Sequence, residues 1–172
     1  WTGFDLSTIV SNDIAIGLYE IDVDRSNSLW IGSRSNGVYI YNENGDRKKA
    51  LGVNVTQGAL PDLKVFSIRV DASNRVWIGT LSGLVVYNNA SNIFDAENVD
   101  AEPVIILDDG IAKRLLGDQT VNTISIDGAD NKWFGTDNGG VTYTNPNGQN
   151  TLANFSTRNS PLPSNKILKI AV

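Results

Sequence analysis

The chain has 172 residues, 41% of them hydrophobic and 19% charged, a composition that supports one ordinary globular domain with a real core and excludes a disordered segment. Its net charge of −5 argues against a nucleic-acid partner and against an anionic membrane surface. It contains no Cys and no His, which removes disulfides, thiol chemistry, Ser-His-Asp catalysis and Cys- or His-ligated metals.

No apolar run approaches the length of a membrane span. The chain begins at Trp1 and has no Met, so it reads as a processed or excised piece of a longer protein. Its opening, Trp1-Thr-Gly-Phe4 and then Ser11-Asn-Asp-Ile14, resembles the later Phe155-Ser-Thr157 and Leu162-Pro-Ser-Asn-Lys-Ile167. From Ile21 to Tyr41 comes the first of three related cores; the others run from Ile68 to Tyr87 and from Ile124 to Tyr143.

Each core predicts three short strands. The first alternates apolar and polar residues, as in Ile68-Arg-Val70, and ends at an Asp: Asp24, Asp71 or Asp127. A polar turn follows, where Asp and Asn suit the backbone because their side chains bond it and tolerate left-handed angles. The second strand carries Trp and Gly two residues apart, on one face: Trp30 and Gly32, Trp77 and Gly79, Trp133 and Gly135. A Gly beside a large ring predicts close approach of a neighbouring backbone. A second turn leads to a third strand that ends in Tyr41, Tyr87 or Tyr143.

Arg47-Lys48-Lys49 is the one basic cluster and reads as a solvated turn. Between the second and third cores lies an insertion, residues 88–117. Its acidic run 95–102 reads as a solvated loop. Pro103 to Leu107 reads as a strand, Asp108-Asp-Gly110 as a hairpin turn, and Ile111 to Leu116 as the returning strand, with a helical turn or two as the alternative.

Val23, Val70, Ile126 and Val172 are equivalent, at intervals of 47, 56 and 46 residues. A unit of about 45 to 50 residues with short antiparallel strands is the size of a β-propeller blade. The expected fold is all-β: a β-propeller of four-stranded antiparallel blades, present as about three blades plus the start of a fourth. The blade cores are 18–41, 65–87 and 121–143, within one partial propeller over 1–172, and the fourth blade begins near 162. The lead-in to each core, such as Asn154-Phe-Ser-Thr157, is the expected fourth strand. Blades bury both faces against neighbours, so the remainder of the same propeller is an expected partner.

The pattern from Asp71 to Leu84, Asp-x-x-x-Asn-x-x-Trp-Ile-Gly-Thr-x-x-Gly-Leu in outline, resembles the two-component regulator propeller repeat of Bacteroidetes. That resemblance implies a periplasmic sensor propeller of a hybrid histidine kinase, with a glycan as ligand. Ile111 to Leu116, Lys132-Trp-Phe-Gly135 and Asn159-Ser-Pro-Leu-Pro-Ser164 bring a closer resemblance, to the PorZ-type family of the type IX secretion system. It implies a non-catalytic binding or scaffold propeller at the periplasmic or outer-membrane surface of a Gram-negative bacterium. Its partners would be other secretion-system proteins or anionic lipopolysaccharide, in the attachment of cargo.

The three Trp could stack on sugar rings, but residues that recur at one place in every copy behave as core. Asp24, Asp71 and Asp127 lack the dense spacing of calcium loops and read as turn caps. A glycosidase would need two carboxylates at a set separation, for which the acidic run is the densest candidate; the chain is read as no enzyme. No cofactor or metal set is expected. The candidate ligand residues are those that differ between copies on fixed flanks: Arg34, Ser35 and Asn36, Leu81 and Ser82, Asp137 and Asn138. All should lie at one end of the propeller.

Overall fold

A computed structural model describes residues 17–172 together with Leu6, Thr8 and Ile9. The likeness drawn for Trp1–Phe4 and Ser11–Ile14 falls outside the described residues. Three antiparallel sheets follow one another along the chain. The first holds β1 (Leu18–Val23), β2 (Ser28–Ser33), β3 (Val38–Asn42) and β4 (Arg47–Leu51), in that order. The second holds β5 (Val65–Val70), β6 (Val76–Thr80) and β7 (Gly83–Tyr87). A hairpin of β8 (Ile105–Asp108) and β9 (Ile111–Arg114) stands apart from it, so Ile111 onward returns as a strand. The third sheet holds β10 (Val121–Ile126), β11 (Lys132–Thr136), β12 (Val141–Thr144) and β13 (Thr151–Phe155).

The lead-in expectation needs a correction. Asn154 and Phe155 are in a strand, but they pair with Thr142 and Val141 of the core before them. The fourth strand therefore closes the preceding sheet rather than opening the next. A tight turn accounts for this, with Asn145 N–H donating to Asn150 C=O at 3.0 Å. A short return costs less loop entropy than a crossing to another sheet. Among the described residues the second sheet has no fourth strand. In its place Glu102 exchanges two backbone bonds with Val86, both 2.8 Å.

Each repeated Asp does two jobs. Its Oδ1 accepts two turn N–H groups: Ser26 and Ser28 for Asp24, Ser73 and Arg75 for Asp71, Ala129 and Asn131 for Asp127. Its Oδ2 accepts the indole N–H of the Trp six residues on, at 2.9, 2.8 and 3.3 Å. The carboxylate thus fixes the turn and the rotamer of the core ring together. The turn's left-handed residue, Asn74 or Asp130, then reaches the preceding sheet. Asn74 Oδ1 accepts Arg25 N–H at 2.8 Å, and Asp130 Oδ1 accepts Ala72 N–H at 3.0 Å.

The glycines mark where sheets meet. A Cβ on Gly79 would lie 2.8 Å from Val121 C=O, and one on Gly32 would lie 2.9 Å from Val65 Cγ1. Gly135 faces Ile167 in the same way, at 2.6 Å. The segment 165–172 therefore lies on the third sheet as β10 lies on β6, held by Gly140 N–H to Asn165 C=O and Ile167 N–H to Thr136 C=O, both 2.9 Å. One buried cluster joins the first and second sheets through Trp30, Ile68 and Ile78. Another joins the second and third through Trp77, Val121 and Phe134.

The basic cluster and the acidic run, each expected to be solvated, are in contact. Arg47 pairs with Asp95 at 2.9 Å and stacks on Phe94 at 4.5 Å. Lys49 Nζ donates to Ile93 C=O at 2.7 Å. Asp100 accepts the N–H groups of Thr56 and Gly58, at 2.9 and 3.2 Å. Ile93, Val99 and Ala101 enter the first buried cluster. The insertion is a strap that binds the second sheet back onto the first. Opposite charges brought together in space, 48 residues apart in sequence, leave no local signal. Asp100→Ala removes both of its bonds to the 52–58 loop and is expected to cost about 1–2 kcal/mol. Faster proteolysis within residues 90–101 would register it; unchanged cleavage would show that the strap does not depend on Asp100.

Candidate functional site

The first strands of the three sheets, β1, β5 and β10, are edge strands that pack side by side around an axis. Each has a register shift at the same place: between Leu18 and Glu20, between Val65 and Ser67, and between Val121 and Thr123. The skipped residues are Tyr19, Phe66 and Asn122. A bulge of this kind re-aims a side chain out of the alternating pattern. All three, with Leu168 of the fourth copy, line one cavity of about 500 Å³.

Two of the variable loops reach it. Leu81 and Asp137 line the cavity, and their backbones are tied to the inner segments by Leu81 N–H to Lys64 C=O at 3.0 Å and Asp137 N–H to Thr120 C=O at 3.1 Å. The Tyr19 and Phe66 rings form a tilted pair, centroids 5.3 Å apart, and Tyr19 is 47% exposed. Glu20 is shared by Arg69 at 3.1 Å and Lys169 at 2.8 Å, which joins the first sheet to the fourth-copy segment. Asp137 pairs with Lys166 at 2.8 Å. The bond from Lys166, then that from Asn122, holds the Asp137 carboxyl below the usual carboxylate range. The wall is thus an aromatic platform beside charges that are already paired.

The other expected ligand residues lie elsewhere. Arg34 is tied at its backbone to Gly17, and its side chain packs over that glycine. Ser82 donates to Asp62 at 3.0 Å on the surface. Ser35 is half-buried and Asn138 exposed, both outside the cavity. Asn36 borders a separate cleft of about 410 Å³ between β4 and the strap. Tyr19, Glu20, Phe66, Asn122, Lys166 and Lys169 were not among the expected residues. A signal existed in the column Tyr19, Phe66, Asn122, Leu168, which varies in chemistry directly after an apolar residue in every copy, Leu18, Val65, Val121 and Ile167.

Trp30 and Trp77 are fully buried, and Trp133 is half-buried. Lys132 is also fully buried, where the other copies have Leu29 and Val76. Its ammonium donates to Asp130 C=O at 2.6 Å and pairs with Asp130 at 3.0 Å and Asp71 at 3.3 Å.

Residues 59–82 match the two component regulator propeller family. The match covers the approach to the second sheet and its first two strands. No curated protein matches the chain. Among solved structures, PorZ of Porphyromonas gingivalis, described as an essential bacterial surface component of the type-IX secretion system, is 17% identical, with a TM-score of 0.60 over 94% of this chain and 31% of its own. The extracellular domain of the putative one component system BT4673 from B. thetaiotaomicron is 20% identical, with a TM-score of 0.62 over 90% of this chain and 19% of its own. At these identities the likeness is one of fold: the chain is all-β and propeller-like, and spans under a third of either relative. Both relatives are surface or extracellular proteins. No helix among the described residues is long and apolar enough to cross a membrane.

Proposed function

We propose that this chain is a non-catalytic binding segment of a cell-surface propeller in a type IX secretion system, whose axial cavity holds a glycan such as anionic lipopolysaccharide. The observation that carries the binding role is the cavity itself, with the exposed Tyr19–Phe66 pair set beside Asn122 and Lys166. An aromatic face buries the apolar side of a sugar ring, and amide and ammonium donors take its oxygens. The two carboxylates there are engaged, Glu20 by two cations and Asp137 by Lys166, which suits positioning better than acid–base turnover. The secretion role is supported by the Lys132–Gly135 and Asn159–Ser164 stretches and by the fold shared with PorZ.

The second reading is a sensor propeller, supported equally by the fold shared with the BT4673 domain. Deleting the gene separates the two. Cargo that no longer attaches to the cell surface supports the secretion reading, and normal secretion and attachment overturns it. At the level of the cavity, Tyr19→Ala is expected to weaken binding of purified lipopolysaccharide about fivefold or more, since truncating a central aromatic anchor costs upward of about 1 kcal/mol. Unchanged affinity by calorimetry would place the ligand elsewhere.

A further inference from the structure

The chain holds four Asn-Gly pairs, 36–37, 44–45, 138–139 and 147–148, none of which lines the axial cavity. Such a pair can react with itself. A glycine nitrogen carries no side chain beside it to block its approach to the asparagine Cγ. The attack needs that nitrogen free, because an N–H donated to an acceptor must first give the bond up.

Three of the four are held. Gly37 N–H donates to Leu63 C=O at 2.8 Å, Gly139 N–H to Thr136 Oγ1 at 2.8 Å, and Gly148 N–H to Asn145 C=O at 3.0 Å. Asn147 is fixed further, since its Oδ1 accepts Gln149 N–H and its Nδ2 donates to Gln149 Oε1, both at 3.0 Å. Gly45, in the turn between β3 and β4, differs. Among the described residues its N–H has no acceptor, and the Asn44 side chain has no partner. Both residues are exposed. Exposure alone does not set this pair apart, because Asn138 and Gly139 are exposed as well; the missing hydrogen bond does.

We propose that Asn44 is a site of spontaneous deamidation in the folded chain, and that the fold protects the asparagines of the other three pairs. Gly45 N bonds to Asn44 Cγ, its proton passes to solvent, and the side-chain amide leaves as ammonia, closing a succinimide ring. Water then opens the ring. Attack at Cγ breaks the new bond and yields aspartate; attack at the Asn44 main-chain carbonyl breaks the original peptide bond and yields isoaspartate. Either product gains a carboxylate in a turn that already carries Glu43 and Asp46. That carboxylate lies three positions from Arg47, the cation that pairs with Asp95 of the strap. Isoaspartate also adds one carbon to the main chain between Asn42 and Arg47, the pair at the end of the β3–β4 ladder.

The test incubates the intact chain in mildly alkaline buffer, with a parallel sample unfolded in urea, and maps the peptides by mass spectrometry. In the folded chain Asn44 is expected to convert at least about fivefold faster than Asn36, Asn138 or Asn147, the rate equivalent of giving up one hydrogen bond. In urea the four rates should converge. Thr136→Val removes the acceptor of Gly139 N–H and should raise the Asn138 rate by the same factor, with Asn44 unchanged. Equal rates at Asn44 and Asn138 in the folded chain, or the folded order of rates persisting in urea, would overturn the proposal. So would a Thr136→Val chain in which Asn138 stays slow.

Discussion

Asp71→Ala is expected to destabilise the chain by about 3–5 kcal/mol, the range for removing one partner of a buried ion pair. Against a total of about 5–15 kcal/mol for an ordinary domain, that is a large fraction. Asp71 holds two turn N–H groups, the Trp77 indole, the Arg75 guanidinium at 2.7 Å and the Lys132 ammonium of the next blade at 3.3 Å. Without it, Lys132 keeps Asp130 and the face of the Trp77 ring at 5.3 Å, and the Trp77 N–H is left buried without its acceptor. Asp24 is the internal control. It makes the same backbone bonds to its turn and the same bond to Trp30, but Ser28 and Val76 stand where Arg75 and Lys132 would be. Asp24→Ala should therefore cost less, about 1–3 kcal/mol. Equal urea midpoint shifts for the two variants would refute the contribution assigned to Arg75 and Lys132 together.

The same site makes a pH prediction. Burial alone would raise the Asp71 pKa, but the bonds from Trp77 and Arg75 and the charge of Lys132 outweigh it and hold it below the ordinary 3.8. A carboxyl whose folded pKa is depressed binds protons more readily in the unfolded chain. Its stabilisation is complete above 3.8 and is lost as the pH falls below that value. The wild-type chain should lose stability steeply there, and Asp71→Ala should show a shallower acid limb.

Asp24, Asp71 and Asp127 show how far the sequence carries. Their place at turns was legible, because turn chemistry is local. The constant spacing of six to Trp30, Trp77 and Trp133 was also visible, yet only the structure turns it into a carboxylate–indole bond. The glycine two residues after each Trp announced a close backbone neighbour, which is found at Gly79; at Gly32 and Gly135 the close neighbour is a side chain. The strap was not legible, because Arg47 and Asp95 meet only after two sheets have packed. The cavity was half legible: Leu81 and Asp137 vary on fixed flanks, but Tyr19, Phe66 and Asn122 reach the axis through a bulge. Strict alternation would send those side chains elsewhere, and a one-residue register shift leaves no mark in composition. Lys132 stood out only as a departure from Leu29 and Val76. That it is a buried cation bridging two blades depends on Asp71, which lies 61 positions earlier.

Trp77→Ala is the second large effect, expected to cost about 3–5 kcal/mol as a core aromatic truncation. The three repeated Trp are not equal, and the reason is geometric. Trp30 packs on Tyr87 of the second blade, centroids 5.6 Å apart, and Trp77 packs on Phe134 of the third, at 5.7 Å. In both cases the covering ring comes from the next blade. Trp133 instead stacks on Tyr143 at 4.0 Å and lies 6.0 Å from Phe155, both in its own blade, and it stays half-buried beside Ile170 and Val172. A repeat position is therefore core only where the following blade covers it. Trp133→Ala should cost about 1–2 kcal/mol, the worth of a stacked ring with part of its area still in water. Thermal unfolding of the three alanine variants measures this directly. Equal losses at 30, 77 and 133 would mean that each Trp is stabilised within its own blade, and that the inter-blade ring contacts contribute little.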